Sequence, residues 1–410
     1  MASTRPMDDL LVLELSSGRI AAPFATKLLR DMGARVVKVQ DPNLVSNPDL
    51  EFSEGFGRSS LDAFFKILDA GKESIVLSLA NSEKSTQDRL TFEAMLARAD
   101  ILVEDLPAGK LEDMGYSWQK LHAVFPTLVV ASISPFGQSG PYKDQKAHDT
   151  TIQGMGGLLT STGLPDLAVK AGPALAEQLA AVYCATGVGI ALKARHHHRK
   201  GSYLDVSMLD CLFSFHGREF VGYQLRGSEP PRLGNVSPVG YYPFDVFECL
   251  GGERFAVCCM RQPHFVTFCD AIDAPELAND DRFSTPELRW AHWQDLAPKI
   301  NVQTRKLDRK SLVDKLLSLP SADSFPVGPV NTFGDLARDP QLRARRMLTR
   351  SRSSQLLGLG SAIKISKNPT ESDAFAAKIE EVDLVPDAPT EDEQGPRLRQ
   401  EFSAARMSKL

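Results

Sequence analysis

The sequence predicts an α/β fold with a parallel sheet and a second, smaller α+β domain. The first observation is that short apolar segments alternate with helix-like segments over the first third of the chain, which is typical of βαβ units. The second is a change in the residue pattern near Pro231, where strand-like segments replace this alternation. The third is size: 410 residues, 42% of them hydrophobic and 24% charged, can bury the cores of two or three domains.

The first βαβ unit lies near the N-terminus. Leu10–Glu14 has the pattern of a buried strand, Ala21–Leu29 is helix-like, and Arg35–Gln40 alternates as a second strand. A chain that repeats this order predicts a parallel sheet with helices on both faces. The order is repeated by strands at Glu73–Leu79, Ile101–Glu104 and Leu128–Ser134 and by helices at Thr86–Arg98 and Trp118–Val124.

The rest of the chain predicts a long helical stretch and then a mixed domain. Thr150–His198 is helical in character, and helices return over His264–Leu319. Strands are predicted at Gly240–Phe244, Val246–Cys249 and Phe255–Cys259, around a turn at Gly251-Gly252, with a further extended piece at Pro326–Val330. No G-x-G-x-x-G motif follows the first strand and no P-loop motif occurs, so neither dinucleotide nor P-loop chemistry has support.

The net charge and the lengths of the apolar runs argue against nucleic acids and membranes as partners. Lys and Arg number 47 and Asp and Glu 52, a formal net charge of -5, and no basic stripe interleaves with aromatic residues. Nucleic-acid binding is therefore not expected. Apolar runs such as Leu10–Leu13 and Phe255–Met260 are too short to span a bilayer, and the opening residues lack the apolar core of a secretory signal, so no membrane association is expected.

The cysteines and the final three residues predict the compartment. The six cysteines form no C-x-x-C pair and no zinc-like spacing, so buried, reduced thiols and no metal site are expected. His196–His198 lies between basic residues at a helix end, where solvated side chains are expected in preference to metal ligands. Ser408-Lys409-Leu410 matches a peroxisomal address, which predicts binding to the peroxisomal import receptor and a peroxisomal location, with the cytoplasm as the alternative.

Glu177 is the main catalytic candidate. It opens an almost wholly apolar helix, and the field at a helix N-terminus favours a carboxylate in the first turn by about 0.3–1 kcal/mol. An ionised carboxylate in an apolar setting can attack an activated carbonyl to form an anhydride. From the spacing alone, an acid that only caps its helix is the more common case, because acids are frequent in first turns. Nearby, His148 is a candidate proton-transfer base and Asp149 a candidate N-cap of the next helix.

Several segments together resemble the family III CoA-transferases of the CaiB/BaiF type. The resemblance begins with Leu11–Glu14 and Ala22–Thr26 and covers nearly the whole chain. Its most specific block is Ser132–Tyr142, and further blocks are Gly33–Val39, Asp100–Leu111 with Met114-Gly115, Asp205–Asp210 and Pro326–Asn331.

The resemblance implies an interlocked homodimer. Each chain would have a large Rossmann-like domain built from both chain ends and a smaller domain inserted between them, with CoA bound at the large domain. We predict the N-terminal part of the large domain at residues 1–195, a linker at 196–230, the small domain at 231–325, and a return to the large domain with a tail at 326–410.

The resemblance also implies the reaction and its residues. The nucleophile falls on Glu177, where the family usually carries Asp, and it would accept CoA covalently from an acyl-CoA and pass it to a carboxylic acid. No cofactor is bound permanently, because CoA is part of the substrate. The implied CoA contacts are Ile20, Ala21, Lys72, Asp105, Leu106 and Met114, with Asp105-Leu106 where members commonly have Asn-Phe.

Two alternatives remain open. The same family contains α-methylacyl-CoA racemases, in which His148 and Glu177 would be the two bases, although racemases usually carry a Glu in the block where this chain has Gln262. The other alternative is a catalytically inactive homologue that only binds CoA. Deuteration of a 2-methylacyl-CoA separates the racemase from the transferase, and covalent trapping at Glu177 separates both from an inactive homologue.

Overall fold

The computed structural model describes residues 5–44, 56–80, 82–320, 324–352, 356–365 and 382–407. The predicted peroxisomal address Ser408-Lys409-Leu410 lies outside these residues and stays a prediction. The chain forms two compact units. The first takes in the described parts of residues 1–159, 170–228 and 339–410, and the second those of 160–169 and 229–338.

Strands and helices alternate over the first 134 residues, as the sequence predicts. The stretch predicted to be helical from Thr150 is divided at Gly156-Gly157, where Gly157 adopts a φ of 89°. The sequence does not predict α2. The elements of this part are β1 (Leu11–Leu15), α1 (Ala21–Asp31), β2 (Arg35–Gln40), α2 (Phe56–Asp69), β3 (Glu73–Val76), α3 (Thr86–Leu96), β4 (Ile101–Glu104), α4 (Lys110–Asp113), α5 (Trp118–Val124), β5 (Val129–Ser134), α6 (Asp149–Met155) and α7 (Leu158–Ser161).

The next segment adds a strand to the main sheet. Its elements are β6 (Gly163–Leu164), β7 (Leu167–Ala168), α8 (Leu175–His198), β8 (Tyr203–Ser207), α9 (Met208–Phe215) and α10 (Gly217–Arg226). β8 pairs in parallel with β5, so the sheet has the order β3-β2-β1-β4-β5-β8 with every described pairing parallel. The predicted linker at 196–230 is therefore wrong, because it contains a strand of the sheet and two helices of the first unit.

Helices cover this sheet, which explains its apolar strands. Every residue of β1, β4 and β5 is buried, as expected for parallel strands packed on both faces. α1 and α8 pack together on one face, where Ala22, Ala25, Ala180 and Ala181 bring the two helices close. The α/β fold predicted from the alternation is confirmed.

The α8 helix is longer and more apolar than the runs considered in the sequence. By length and composition it could cross a membrane. In the first unit it packs against α1, α6, α9, β5 and β8, and Ala176, Cys184 and Val188 are buried there. The core of the unit therefore explains the apolar residues on the buried face of α8, whereas Val182 and Ile190 are exposed.

The second unit is a smaller α+β unit, as predicted. Its elements are β9 (Phe244–Glu248), β10 (Arg254–Cys258), α11 (Gln262–Ala271), α12 (Pro286–Ala291), α13 (Trp293–Thr304), α14 (Arg309–Leu317), β11 (Val327–Pro329) and α15 (Phe333–Arg338), preceded in the chain by the β6–β7 hairpin. β10 pairs antiparallel with both β9 and β11. The predicted return to the large domain at residue 326 is therefore wrong, since β11 completes the small sheet and the return follows Arg338.

The C-terminal part returns to the first unit. It contains α16 (Pro340–Ala344), β12 (Leu348–Ser351), β13 (Leu357–Leu359), β14 (Asp383–Val385) and α17 (Gly395–Met407). α17 packs on α3 and β3, and its Leu398 and Phe402 are fully buried in the core there. The large unit is thus built from both parts of the chain, as the resemblance implies.

Candidate active site

Glu177 lies in the first turn of α8, as predicted. Its side chain is 6% exposed, and its Oε2 accepts a hydrogen bond of 2.8 Å from the backbone N–H of Ile20. Ile20 immediately precedes α1, so the first turns of two helices meet at this carboxylate. One oxygen therefore has a fixed backbone donor.

Asp149 caps α8 instead of α6. The structure places Asp149 inside α6, whose N-cap is His148, so the predicted N-cap role of Asp149 toward its own helix is wrong. Its Oδ1 accepts hydrogen bonds from the N–H groups of Ala176 (2.7 Å) and Glu177 (3.2 Å). Ala174, the N-cap of α8, has no capping side chain, and Asp149 satisfies these donors from a neighbouring helix.

Gln153 fixes the Asp149 carboxylate and the segment that leads into α8. It is fully buried, its Nε2 donates to Asp149 Oδ2 at 2.5 Å, and its Oε1 accepts from the N–H of Ala171 at 2.9 Å. Sequence reasoning missed this residue. Its position one helical turn after Asp149 was the available signal.

Burial dominates the electrostatics of Glu177. Desolvation raises its pKa above the ordinary value, and the Ile20 N–H and the positive charge of Arg19 oppose this shift. The helix field, which alone is visible from the sequence, favours the ionised form, but desolvation has the larger effect. A buried carboxylate with a raised pKa is more basic, and therefore a better nucleophile once ionised, than an exposed one.

Arg19 supplies positive charge beside Glu177, and His148 lies near the same carboxylate. Arg19 Nη1 donates to the carbonyl oxygen of Ala147 at 3.2 Å, which connects the turn after β1 to the start of α6. His148 is exposed and follows Ala147 directly, and its proximity acts to lower the pKa of Glu177. The structure thus brings together Glu177, Asp149 and His148, the three predicted catalytic candidates.

Asp105 is buried behind the turn that carries Ile20 and Ala21. It is 1% exposed, and its carboxylate accepts hydrogen bonds from the N–H groups of Ser17 and Ala22. Leu106 and Met114 are buried in the core of the same unit. Asp105 therefore already has hydrogen-bond partners within the protein. The CoA contacts stay a prediction for Ile20, Ala21, Asp105, Leu106 and Met114.

Lys72 is neither a solvated surface residue nor a free cation. Its side chain is fully buried, and its Nζ contacts Glu14 Oε2 at 2.7 Å and Asp69 Oδ1 at 2.9 Å. It also donates to the carbonyl oxygen of Pro23 at 3.0 Å, inside α1. A direct contact between this ammonium and a CoA phosphate would have to disrupt both ion pairs, so this arrangement disfavours the predicted contact.

Glu104 is a buried acid that sequence reasoning missed. It ends β4, is 2% exposed, and accepts a hydrogen bond of 2.7 Å from the N–H of Leu106. Burial raises its pKa to about 8, against the opposing effect of its hydrogen bond with Ser132. Its place as the polar end of an apolar strand was the available signal, and its burial favours the protonated form.

The remaining predicted features lie elsewhere. His197 and His198 are exposed at the end of α8, and no group of three potential metal-ligating side chains comes together in the described part of the chain. All six cysteines are free and buried, as predicted. A cavity of about 990 Å³ in the first unit is lined by α2 and by the β12–β14 region, and it includes none of the predicted site residues.

Comparison with known proteins identifies the family of this chain. A model of CoA-transferase family III matches residues 7–381. The chain belongs to CoA-transferase family III. An acetyl-CoA:oxalate CoA-transferase from Acetobacter aceti is 34% identical over 401 residues, 97% of this chain and 96% of that protein. A succinyl-CoA:mesaconate CoA-transferase from Haloarcula hispanica is 31% identical over 387 residues, 92% of this chain and 94% of that protein.

A solved structure supports the same assignment. A CaiB/BaiF family protein from Brucella suis has a TM-score of 0.81 and 29% sequence identity, over 98% of this chain and all of that chain. The resemblance to this family, read from short sequence blocks, is therefore confirmed over nearly the whole chain. Membership in CoA-transferase family III supports CoA transfer as the general activity.

Proposed function

We propose that this chain transfers CoA from an acyl-CoA to a carboxylic acid through covalent catalysis by Glu177. The observation that carries the proposal is the arrangement of Glu177: a buried carboxylate in a helix first turn, with one oxygen 2.8 Å from the Ile20 nitrogen. The relatives named above provide the general reaction, and this geometry supports the choice of nucleophile.

The proposed reaction starts with two acyl transfers. A Glu177 oxygen attacks the donor thioester carbonyl, the carbon–sulfur bond breaks, and an anhydride and CoA thiolate form. The thiolate then attacks the Glu177 carbonyl carbon, which gives a glutamyl-CoA thioester and releases the donor acid as a carboxylate. The Ile20 N–H supports this second step, since it lies where negative charge develops on the Glu177 oxygen.

The second half of the reaction reverses the first with a different acid. The acceptor carboxylate attacks the glutamyl thioester, which forms a new anhydride and frees CoA thiolate. The thiolate attacks the acceptor's carbonyl carbon, so that the product acyl-CoA leaves and the Glu177 carboxylate is regenerated. The complete cycle exchanges one acyl-CoA thioester for another of similar energy, so it consumes no ATP.

The acid substrates we propose are small dicarboxylates. The names of the relatives above include oxalate and mesaconate, and a further relative, 28% identical over 387 residues, is a succinate–glutarate CoA-transferase from Agrobacterium fabrum. Arg19 supports this class, because it provides positive charge beside Glu177 for an anion that must approach a carboxylate.

A donor–acceptor screen tests the proposed function. The protein is incubated with acetyl-, succinyl- or formyl-CoA and each of oxalate, glutarate and mesaconate, and new acyl-CoA is measured by mass spectrometry. We expect transfer with at least one pair and, on addition of hydroxylamine, a hydroxamate at Glu177. No transfer and no adduct with any pair would contradict the proposal and favour the inactive homologue.

The racemase alternative gains no support from the structure. Gln262, at the position where racemases usually carry a Glu, accepts a hydrogen bond from the fully buried Arg289. An amide that is held in this way provides no acidic group. The screen includes a 2-methylacyl-CoA in heavy water as a control, and fast α-deuteration without any acceptor acid would contradict the transferase proposal.

We also propose the homodimer that the family resemblance implies. α9 and α10 expose a group of apolar side chains, and α10 has no buried residue within the single chain. The group consists of Phe213 (48% exposed), Phe215 (63%), Phe220 (43%), Val221 (52%) and Leu225 (82%). Neighbouring apolar residues exposed to this extent are typical of an interface between subunits.

A pair of matched substitutions tests the dimer. We expect the native protein to have twice the chain mass of 44.9 kDa by light scattering. Leu225→Glu, in the exposed group, should lower this mass toward that of one chain at micromolar concentration, since it places a charge in an apolar interface. Val124→Glu on α5, where the side chain is 58% exposed, is the control and should leave the mass unchanged. A single-chain mass for the native protein would contradict the proposal.

A further inference from the structure

The turn between β1 and α1 presents the Ile20 N–H to Glu177. It runs from Ser16 to Ile20 and includes Gly18 at a φ of 83°, a conformation that glycine adopts without strain. Ile20 is the N-cap of α1 and has no capping side chain of its own. The direction of its N–H therefore depends on what holds the turn from outside.

Asp105 holds the turn at both ends. Its Oδ1 accepts from the Ser17 N–H at 2.8 Å and from the Ser17 hydroxyl at 3.3 Å. Its Oδ2 accepts from the Ser16 hydroxyl at 3.2 Å and from the Ala22 N–H at 3.1 Å. The two carboxylate oxygens thus bind donors on either side of Ile20.

Strand pairing places Asp105 there. β1 and β4 are parallel neighbours, with Leu15 paired to Glu104, so Asp105 is the first residue beyond β4 where the turn leaves β1. Its carboxylate is buried, and burial raises its pKa to about 6, which leaves it mainly ionised above neutral pH. Arg19 and Glu177 are the charged groups that act on it from the turn and from α8.

We propose that Asp105 is a positioning residue that fixes the Ser16–Ile20 turn and the start of α1 so that the Ile20 N–H stays aligned with Glu177 Oε2. This inference rests on the proposed function, in which that N–H supports attack at the Glu177 carbonyl carbon. It assigns Asp105 a different role from the CoA contact that the family resemblance implies.

Asp105→Asn separates the two roles. Asparagine has one acceptor oxygen and one NH₂ donor group, so it can hold the Ser17 side or the Ala22 side of the turn, but not both. It is also the residue that the family commonly has at this position, so a contact with CoA would survive the substitution. A positioning role predicts a slower reaction at unchanged affinity for acyl-CoA.

The test combines kinetics with amide exchange in the full-length protein. We expect Asp105→Asn to lower kcat by about 10- to 100-fold, with KM for acyl-CoA within twofold of the native value. Hydrogen–deuterium exchange at the Ile20 amide should become at least about tenfold faster, since this N–H loses its fixed acceptor. Ser17→Ala is the comparison variant: it keeps the Asp105 carboxylate and the Ser17 and Ala22 N–H donors and removes the hydroxyl contacts with Asp105 Oδ1 (3.3 Å) and the Asp105 carbonyl oxygen (3.1 Å), so it should change kcat and Ile20 exchange less than Asp105→Asn does.

Each alternative outcome contradicts the inference in a separate way. A higher KM for acyl-CoA with native kcat assigns Asp105 to CoA binding. A lower melting temperature with native kcat per folded molecule assigns it a purely structural role. Unchanged exchange at Ile20 contradicts the positioning role whether or not the native protein transfers CoA, so this readout is independent of the proposed function.

A second variant covers the case in which Asp105→Asn does not fold. Ser16→Ala combined with Ser17→Ala keeps the carboxylate and both backbone contacts and removes the two hydroxyl donors. We then expect a three- to tenfold lower kcat, unchanged KM for acyl-CoA and faster exchange at Ile20. Native kinetics and native exchange in this double variant would overturn the inference.

Discussion

Glu177→Gln is expected to lower CoA transfer by on the order of 10⁴-fold or more, the effect of removing a covalent nucleophile. Glutamine has nearly the shape of glutamate and can still accept the hydrogen bond from Ile20, so α8 and its first turn should be retained. Its amide cannot form the anhydride, and the hydroxylamine-trapped adduct should disappear. Initial rates and mass spectrometry of the peptide that contains residue 177 measure both effects.

Glu177→Asp is the control for this experiment. It retains a carboxylate and introduces the residue that the family usually carries, but the side chain is one methylene shorter. We expect adduct formation to persist at a lower rate, because the contact with the Ile20 N–H lengthens. Transfer by Glu177→Gln at a rate close to that of the native protein would contradict nucleophilic catalysis by this residue.

The second large effect concerns stability and Glu104. Its pKa is about 8 in the folded protein, far above the ordinary value of about 4.3, so the folded state holds this proton more tightly than the unfolded state. Its contribution to stability is therefore complete below about pH 4.5 and is lost as pH rises to about 8. Between pH 5 and pH 9 the loss is about 4 kcal/mol.

Glu104→Gln should remove this pH dependence. The amide imitates the protonated acid and cannot ionise. The free energy of unfolding of the variant, relative to that of the native protein, should therefore rise by about 4 kcal/mol between pH 5 and pH 9. Urea unfolding of both proteins at the two pH values measures the difference, and effects of the substitution that do not depend on pH cancel. Glu112→Gln, at an exposed acid on α4, is the control and should show no such change.

The sequence located the candidate nucleophile but only part of its surroundings. An acid in the opening turn of an apolar helix is a local pattern, and Glu177 lies where this pattern placed it. Asp149 also met the local criteria for an N-cap, yet it caps α8 and not α6. The choice depends on how the two helices pack, which a local pattern does not contain.

The same reason explains the incorrect and missed assignments. The sequence predicts Lys72 at the surface or on a phosphate, because its neighbours along the chain do not reveal Glu14, 58 residues away. It predicts a linker where β8 lies, because an edge strand of five residues has little pattern of its own. It predicts the return to the large domain too early, because the residues of β11 could extend in either sheet and only the pairing with β10 assigns them.

By itself the sequence determined the α/β architecture, since the periods of strands and helices follow from side-chain direction along a local backbone. It also determined the family and the place of Glu177 at the start of α8. The tertiary structure alone decided which groups meet at that carboxylate: Ile20 is 157 residues away along the chain, and Asp105 lies 83 residues from Ala22. Partners of buried polar groups are chosen when strands pair and helices pack, because those contacts join segments that are distant in sequence.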